Sequence, residues 1–165
     1  MTVTVWHLEI LDRAAFQRSD EPLRFRLERV TAPSAVFLRF LYAATGRDWS
    51  WTDRLPWTDE QWLARQADPA VEIWVAMDQG VPAGYFELGR LDDGRSVELV
   101  YFGLLPHAVG KGQGGAMLTA AVDRMWEMGA GRVYVNTCSL DHPRALENYR
   151  RRGFTLFREA LRDSA

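Results

Sequence analysis

Two stretches of this chain carry residue types and spacings that could do chemistry. In the first, Val109-Gly110-Lys111-Gly112-Gln113-Gly114-Gly115, glycines alternate between an apolar run and an amphipathic one, and Lys111 is the only lysine. Alternate glycines in a loop that opens a helix leave backbone N–H groups uncovered. Those groups, with the positive end of the helix dipole, suit a phosphate. The second stretch runs from His142 to Phe154 as His-Pro-Arg-Ala-Leu-Glu-Asn-Tyr-Arg-Arg-Arg-Gly-Phe. Upstream of both, Glu98 lies inside an otherwise apolar run, where a carboxylate must face water, find a partner or move toward its neutral form.

Other groups compete for a chemical role. His107 and His142 titrate near neutral pH without help, but His107 fits a loop surface, and His142, just before Pro143, fits a helix cap. Cys138 is the single cysteine; on an apolar strand it is either a small packed hydrophobe or a nucleophile, and packing is the expectation. Three histidines without paired His or Cys spacing argue against a metal site.

The most unusual local composition is Trp49-Ser50-Trp51-Thr52-Asp53-Arg54-Leu55-Pro56-Trp57 followed by Trp62, which holds four of the seven tryptophans. Aromatic faces beside a carboxylate such as Asp53 could hold an amine-bearing or apolar molecule by burial and cation–π attraction. The alternative is that the rings cap the core under a long loop.

The elements that position these groups follow from periodicity. Thr2–Leu11 and Arg24–Val30 read as strands. Thr31-Ala32-Pro33-Ser34 opens a helix stopped by Gly46, and a second begins at Thr58 and ends near Asp68-Pro69. Glu72–Met77 and Val81–Leu88 form a hairpin about Asp78-Gln79-Gly80, and Asp92-Asp93-Gly94 makes a further turn. The near-continuous apolar run Val97–Leu105 predicts a strand buried on both faces. A helix stripe from Met117 to Trp126 ends at Gly129. Strand 132–138, helix 143–151 and a last strand from Phe154 complete the order. The expected fold is α/β: a mixed, mostly antiparallel twisted sheet flanked by helices, with one long crossover that makes two strands parallel.

At 165 residues the chain is the size of one domain, expected over 1–165 without internal boundary. A net charge of −2 with scattered basic residues argues against nucleic acid, and Arg151-Arg152 read as a solvated face. No apolar run approaches the roughly 20 residues of a membrane span. The start Met1–Val5 lacks the basic and apolar regions of a signal peptide, so the expected location is the cytoplasm.

Residues 97–157 resemble the core of the GNAT superfamily, the GCN5-related N-acetyltransferases. The family's Q/R-x-x-G-x-G/A signature aligns with Val109–Gly114, with Val109 replacing the usual donor. Its N-x-x-A-x-x-x-Y-x-x-x-G-F pattern is met at Ala145, Tyr149, Gly153 and Phe154, with His142 at the Asn position. The resemblance implies that the parallel strands splay around an acyl-CoA cleft. Phe102, Leu104, Leu105, Val109, Gly110, Lys111, Gly112, Gln113, Gly114, Gly115, His142, Ala145 and Tyr149 would contact the cofactor, acetyl-CoA as acyl donor, with no metal. It implies Tyr149 as general acid and Glu98 as general base, and an acceptor pocket in 31–70 lined by Trp49, Trp51, Asp53 and Trp57, with Glu98. The implied activity is transfer of an acetyl group to the primary amine of a small molecule by direct attack. Alternatives are a non-catalytic acyl-CoA-binding sensor or interaction domain, or a protein N-acetyltransferase. The implied assembly is a possible homodimer, to which an edge strand from the first thirty residues could contribute.

Overall fold

The computed structural model describes residues 1–163. Strands β1 (Thr2–Ile10), β2 (Arg26–Arg29), β3 (Val71–Asp78), β4 (Val81–Arg90), β5 (Ser96–Leu104), β6 (Arg132–Cys138) and β7 (Thr155–Asp163) form one sheet. Helices α1 (Ala35–Gly46), α2 (Asp59–Ala67), α3 (Gly114–Glu127) and α4 (Ala145–Arg151) flank it. Local chemistry sets the helix starts: the Ser34 side chain accepts from the Phe37 N–H at 3.2 Å. At α2 the Thr58 and Gln61 side chains accept each other's N–H in a capping box.

The sheet runs β2-β3-β4-β5-β6-β1-β7, antiparallel throughout except for the parallel pair β5–β6. The first strand is therefore interior, between β6 and β7, and the edges are the four-residue β2 and the nine-residue β7. Alternation places Val97, Leu99, Val133 and Val135 in a core with Met117, Ala121, Val122 and Met125 of α3. A second core packs Leu38, Leu41 and Tyr42 of α1 and Trp62 of α2 against Ile73, Val75 and Tyr85.

The parallel pairing lasts only from Ser96↔Arg132 to Leu99↔Val135. β5 then follows β4 to Leu104 while β6 follows β1, with Val5 opposite Cys138, so the two strands separate. A bulge marks the divergence: Leu99 faces Leu88 and Tyr101 faces Glu87, which leaves Val100 extra. This corrects the expectation of a strand buried on both faces. Val97 and Leu99 are buried, but Val100–Leu104 are half-exposed because they border the opening.

At the end of α4, Gly153 has φ +100°, and a Cβ there would lie 2.1 Å from the Ala15 carbonyl oxygen. The adjoining Arg152 carbonyl accepts from the Gln17 N–H at 2.8 Å. Gly153→Ala combines a left-handed φ with a backbone clash, so it should cost roughly 2–4 kcal/mol of unfolding free energy. Chemical denaturation checks this; a wild-type midpoint would contradict the packing of this turn.

Candidate active site

The separation of β5 from β6 opens a cavity of about 1010 Å³ whose wall includes Glu98 to Leu104, Val109, Gly110, Gly112 to Gly115, Val135 to Cys138, Ala145 and Tyr149. At one end is the glycine loop. Gly110 and Gly112 have φ of 82° and 73°, while a Cβ at Gly110, Gly112 or Gly114 would meet nothing within 4 Å. Glycine is thus required at 110 and 112 by backbone conformation rather than crowding. The N–H groups from Gly110 to Ala116 find no acceptor among the described residues.

The loop is held from behind. The Arg24 guanidinium donates to the Lys111 carbonyl at 2.7 Å. Gln113, 1 % exposed, accepts the Arg24 N–H at 2.6 Å and donates to the Pro22 carbonyl at 3.2 Å. The Gln113 side chain therefore anchors the loop, leaving only its backbone for a ligand. Lys111 borders a separate shallow pocket with Arg24 and Arg26, outside the cleft wall. Leu105 is buried, also outside that wall.

Arg152 occupies a place that its sequence neighbourhood did not suggest. A Cβ on Gly115 would meet its Nη2 at 2.5 Å, so the guanidinium rests on the first turn of α3 in the cleft wall, not on a solvated face. Its Nη1 donates to the Gln17 carbonyl at 3.2 Å, and it joins no ion pair among the described residues. A cation at the positive end of a helix, without a carboxylate, is electrostatically unfavourable unless an anion joins it.

Two ionisable groups face the middle of the cleft. Glu98 is half-buried, with neither hydrogen bond nor ion pair among the described residues. Burial raises its pKa, Arg65 and Arg54 oppose the rise, and Glu87 adds to it. Tyr149, on α4, packs its ring edge-on against Phe154 with centroids 5.5 Å apart. Burial, then the charge of Asp141, raises its phenol pKa, so the hydroxyl stays protonated.

Cys138 also borders the cleft, but burial raises its thiol, the opposite of nucleophile activation. His107 is exposed and outside the wall, whereas His142 lies in it and accepts the Arg144 N–H at 3.0 Å through Nδ1. The His142 ring meets Trp49 with centroids 5.0 Å apart, so the loop after α1 and the loop after β6 touch across the opening.

At the acceptor-side end, Trp49, Trp51 and Asp53 line the cleft, and Asp53 is exposed without an ion-pair partner among the described residues. Trp57 does not line it. Its ring lies under the Arg54 guanidinium at 4.5 Å and against Trp62 at 5.0 Å. Arg54, only 7 % exposed, makes bidentate bonds of 2.6 and 2.9 Å to Glu87, and Arg65 binds the same carboxylate at 2.8 and 3.0 Å. This triad, with Arg54 and Glu87 buried and Arg65 half-buried, ties the tryptophan loop to the sheet. The available signal was Glu87 itself, a carboxylate in an apolar strand, which demands a partner just as Glu98 does. Among the described residues no group of His, Cys, Asp and Glu could hold a metal ion. None of the helices described is long and apolar enough to cross a membrane.

A profile of the acetyltransferase (GNAT) family matches residues 37–154. Curated protein sequences contain no match. Among solved structures, a GCN5-related N-acetyltransferase from Sphaerobacter thermophilus is similar at 18% identity and TM-score 0.69, covering 97% of this chain and 50% of its own. A functionally unknown conserved protein from Staphylococcus epidermidis is similar at 18% identity and TM-score 0.67, with coverages of 98% and 60%. An aminoglycoside acetyltransferase from an uncultured soil metagenomic sample, in complex with sisomicin, is similar at 15% identity and TM-score 0.65, with coverages of 77% and 86%. The chain thus spans 50% to 63% of the length of the first solved structures that it matches. At these identities the likeness is one of fold.

Proposed function

The chain belongs to the acetyltransferase (GNAT) family, and we propose that it moves an acetyl group from acetyl-CoA to the primary amine of a small molecule. The observation that carries this reading is one cleft that joins bare loop amides to an unpartnered carboxylate and a protonated phenol. Orphaned N–H groups and the unpaired Arg152 guanidinium fit the phosphates of acetyl-CoA, which supplies the acyl thioester. The exposed edge of β5 beyond Leu99 supports an extended pantetheine arm near Phe102 and Leu104. Two loops meeting at Trp49 and His142 favour a small acceptor over a protein chain. Asp53 and Glu98 favour a cationic one, since Arg54 is already neutralised by Glu87.

In the proposed sequence Glu98 takes a proton from the bound ammonium, directly or through water, and frees the nitrogen lone pair. The N–C bond forms as N–H groups of β5 past the bulge stabilise the negative charge gathering on the carbonyl oxygen. The C–S bond breaks as Tyr149 donates its proton to the departing sulfur; the nitrogen gives up its second proton to water and Tyr149 recovers one from solvent, which leaves the amide, the CoA thiol and the proton held by Glu98. Arg152 supplies the donor that Val109 lacks. Arg152→Met should therefore weaken acetyl-CoA binding by roughly tenfold, the loss expected for one charge-assisted contact. Unchanged affinity in that variant would remove Arg152 from the phosphate site.

The activity test is release of free CoA thiol from acetyl-CoA across a panel of primary amines. Amine-dependent release is expected. Tight acetyl-CoA binding without release for any amine would favour the sensor alternative.

A further inference from the structure

Glu87 carries two guanidinium groups. Arg54 occupies both of its oxygens, and Arg65 adds two bonds to Oε2. The cluster of two arginines and one carboxylate holds one surplus positive charge at the buried base of the acceptor-side loop. The register of the sheet shows where that surplus points. Gly89 pairs with Glu98 across β4 and β5, and cross-strand partners present the same face. A Cβ on Gly89 would lie 3.4 Å from Arg65 Nη2. The guanidinium therefore rests over the bare backbone of Gly89, bonded to Glu87 and beside Glu98. A longer side chain at 89 would fill the space between them.

Among the described residues Glu98 forms no ion pair of its own. The charged and titratable groups around it are Arg65 from α2, Arg54 and Asp53 from the tryptophan loop, Glu87 from β4, Tyr134 opposite it on β6, and Tyr101 of its own strand. Only the arginines favour its ionised form; Arg54 covers both oxygens of Glu87, whereas Arg65 bonds to one of them. A base that must be ionised before the amine arrives, in a half-buried position, needs a nearby positive charge that does not neutralise it by direct contact.

From this geometry we infer that Arg65 is a positioning residue for the reaction: reaching across Gly89, it keeps Glu98 ionised while leaving the carboxylate free to accept the substrate's proton. This rests on Glu98 being the base. Arg65→Met leaves the bidentate Arg54–Glu87 pair in place, so the fold should persist. Removing the charge should move the acid limb of kcat/KM toward higher pH by about one unit, with the high-pH plateau and acetyl-CoA affinity retained. Arg65→Lys should bring the limb back.

The comparison variant is Glu98→Gln. If it abolishes the limb and Arg65→Met does not shift it, or lowers the rate equally at every pH, the inference about Arg65 is overturned while the base assignment stands. If Glu98→Gln keeps both rate and limb, the base assignment falls and the inference with it. Titration of the Glu98 carboxyl by ¹³C NMR in both Arg65 variants gives a readout independent of turnover: the midpoint should rise in Arg65→Met and return in Arg65→Lys, and a fixed midpoint would refute the role.

Discussion

Tyr149→Phe is expected to lower kcat by roughly 10²-fold or more, with the dissociation constant of acetyl-CoA within about twofold of wild type. The change deletes one hydroxyl. That hydroxyl has no hydrogen-bond partner among the described residues, so its loss should leave stability close to wild type, and the ring keeps its edge-on contact with Phe154. In the proposed mechanism the cost falls on the leaving group alone. Burial, with Asp141, keeps the phenol protonated across the working pH range. The same poorly solvated surroundings raise the proton affinity of the departing sulfur, which keeps the transfer feasible despite a weak acid. The deficit should therefore be independent of pH below the ordinary tyrosine range. Steady-state kinetics with a poor and a good amine, together with equilibrium binding, check this; a wild-type kcat would take Tyr149 out of the mechanism.

Glu98→Gln should lower kcat/KM by roughly 10²–10³-fold at neutral pH and make the protein more resistant to heat. The two effects share one cause. Burial holds the Glu98 pKa above its ordinary value, so folding costs the ionised form more than the neutral one. The stabilising preference is fully present below the unfolded-state pKa and is lost as pH rises through the folded one. At neutral pH the wild type bears the cost of a charge in a half-buried place, which the amide does not. The Tm advantage of the variant should consequently appear at pH 7 and vanish at pH values below the ordinary glutamate range. In wild type, activity should fall as pH drops through the raised pKa, because a protonated Glu98 cannot accept the ammonium proton. A variant that loses activity without gaining stability would mean that Glu98 finds a partner in solution.

The parts of the site legible in the chain were those whose chemistry is local. The glycine loop needs positive φ at 110 and 112 and an uncovered backbone, and both requirements leave their mark in residue type. Helix starts at Ser34 and Thr58 were likewise visible, because a cap is satisfied within three residues. The other parts of the site depend on long-range pairing. The Arg54–Glu87–Arg65 cluster joins a loop, a strand and a helix, and nothing in the local pattern of any of them names the others. Trp57 resembled its neighbours Trp49 and Trp51 in composition but packs on Arg54 because that guanidinium is drawn inward by Glu87. Arg152 read as one of three consecutive arginines; only the left-handed turn at Gly153, fitted against Ala15, aims it at α3. The interior position of β1 was equally hidden, since its partners are the last two strands of the chain.

Calorimetric titration of acetyl-CoA into the purified protein, with adenosine and desulfo-CoA as comparators, decides whether the cleft holds an acyl-CoA by its phosphates. Binding in the micromolar range by acetyl-CoA and desulfo-CoA but not by adenosine, weakened when Arg152 is replaced, is the predicted result. Absence of binding, or equal binding of adenosine, would mean that the loop amides and Arg152 do not hold the phosphates, and the acyl-transfer mechanism built on this cleft would be wrong.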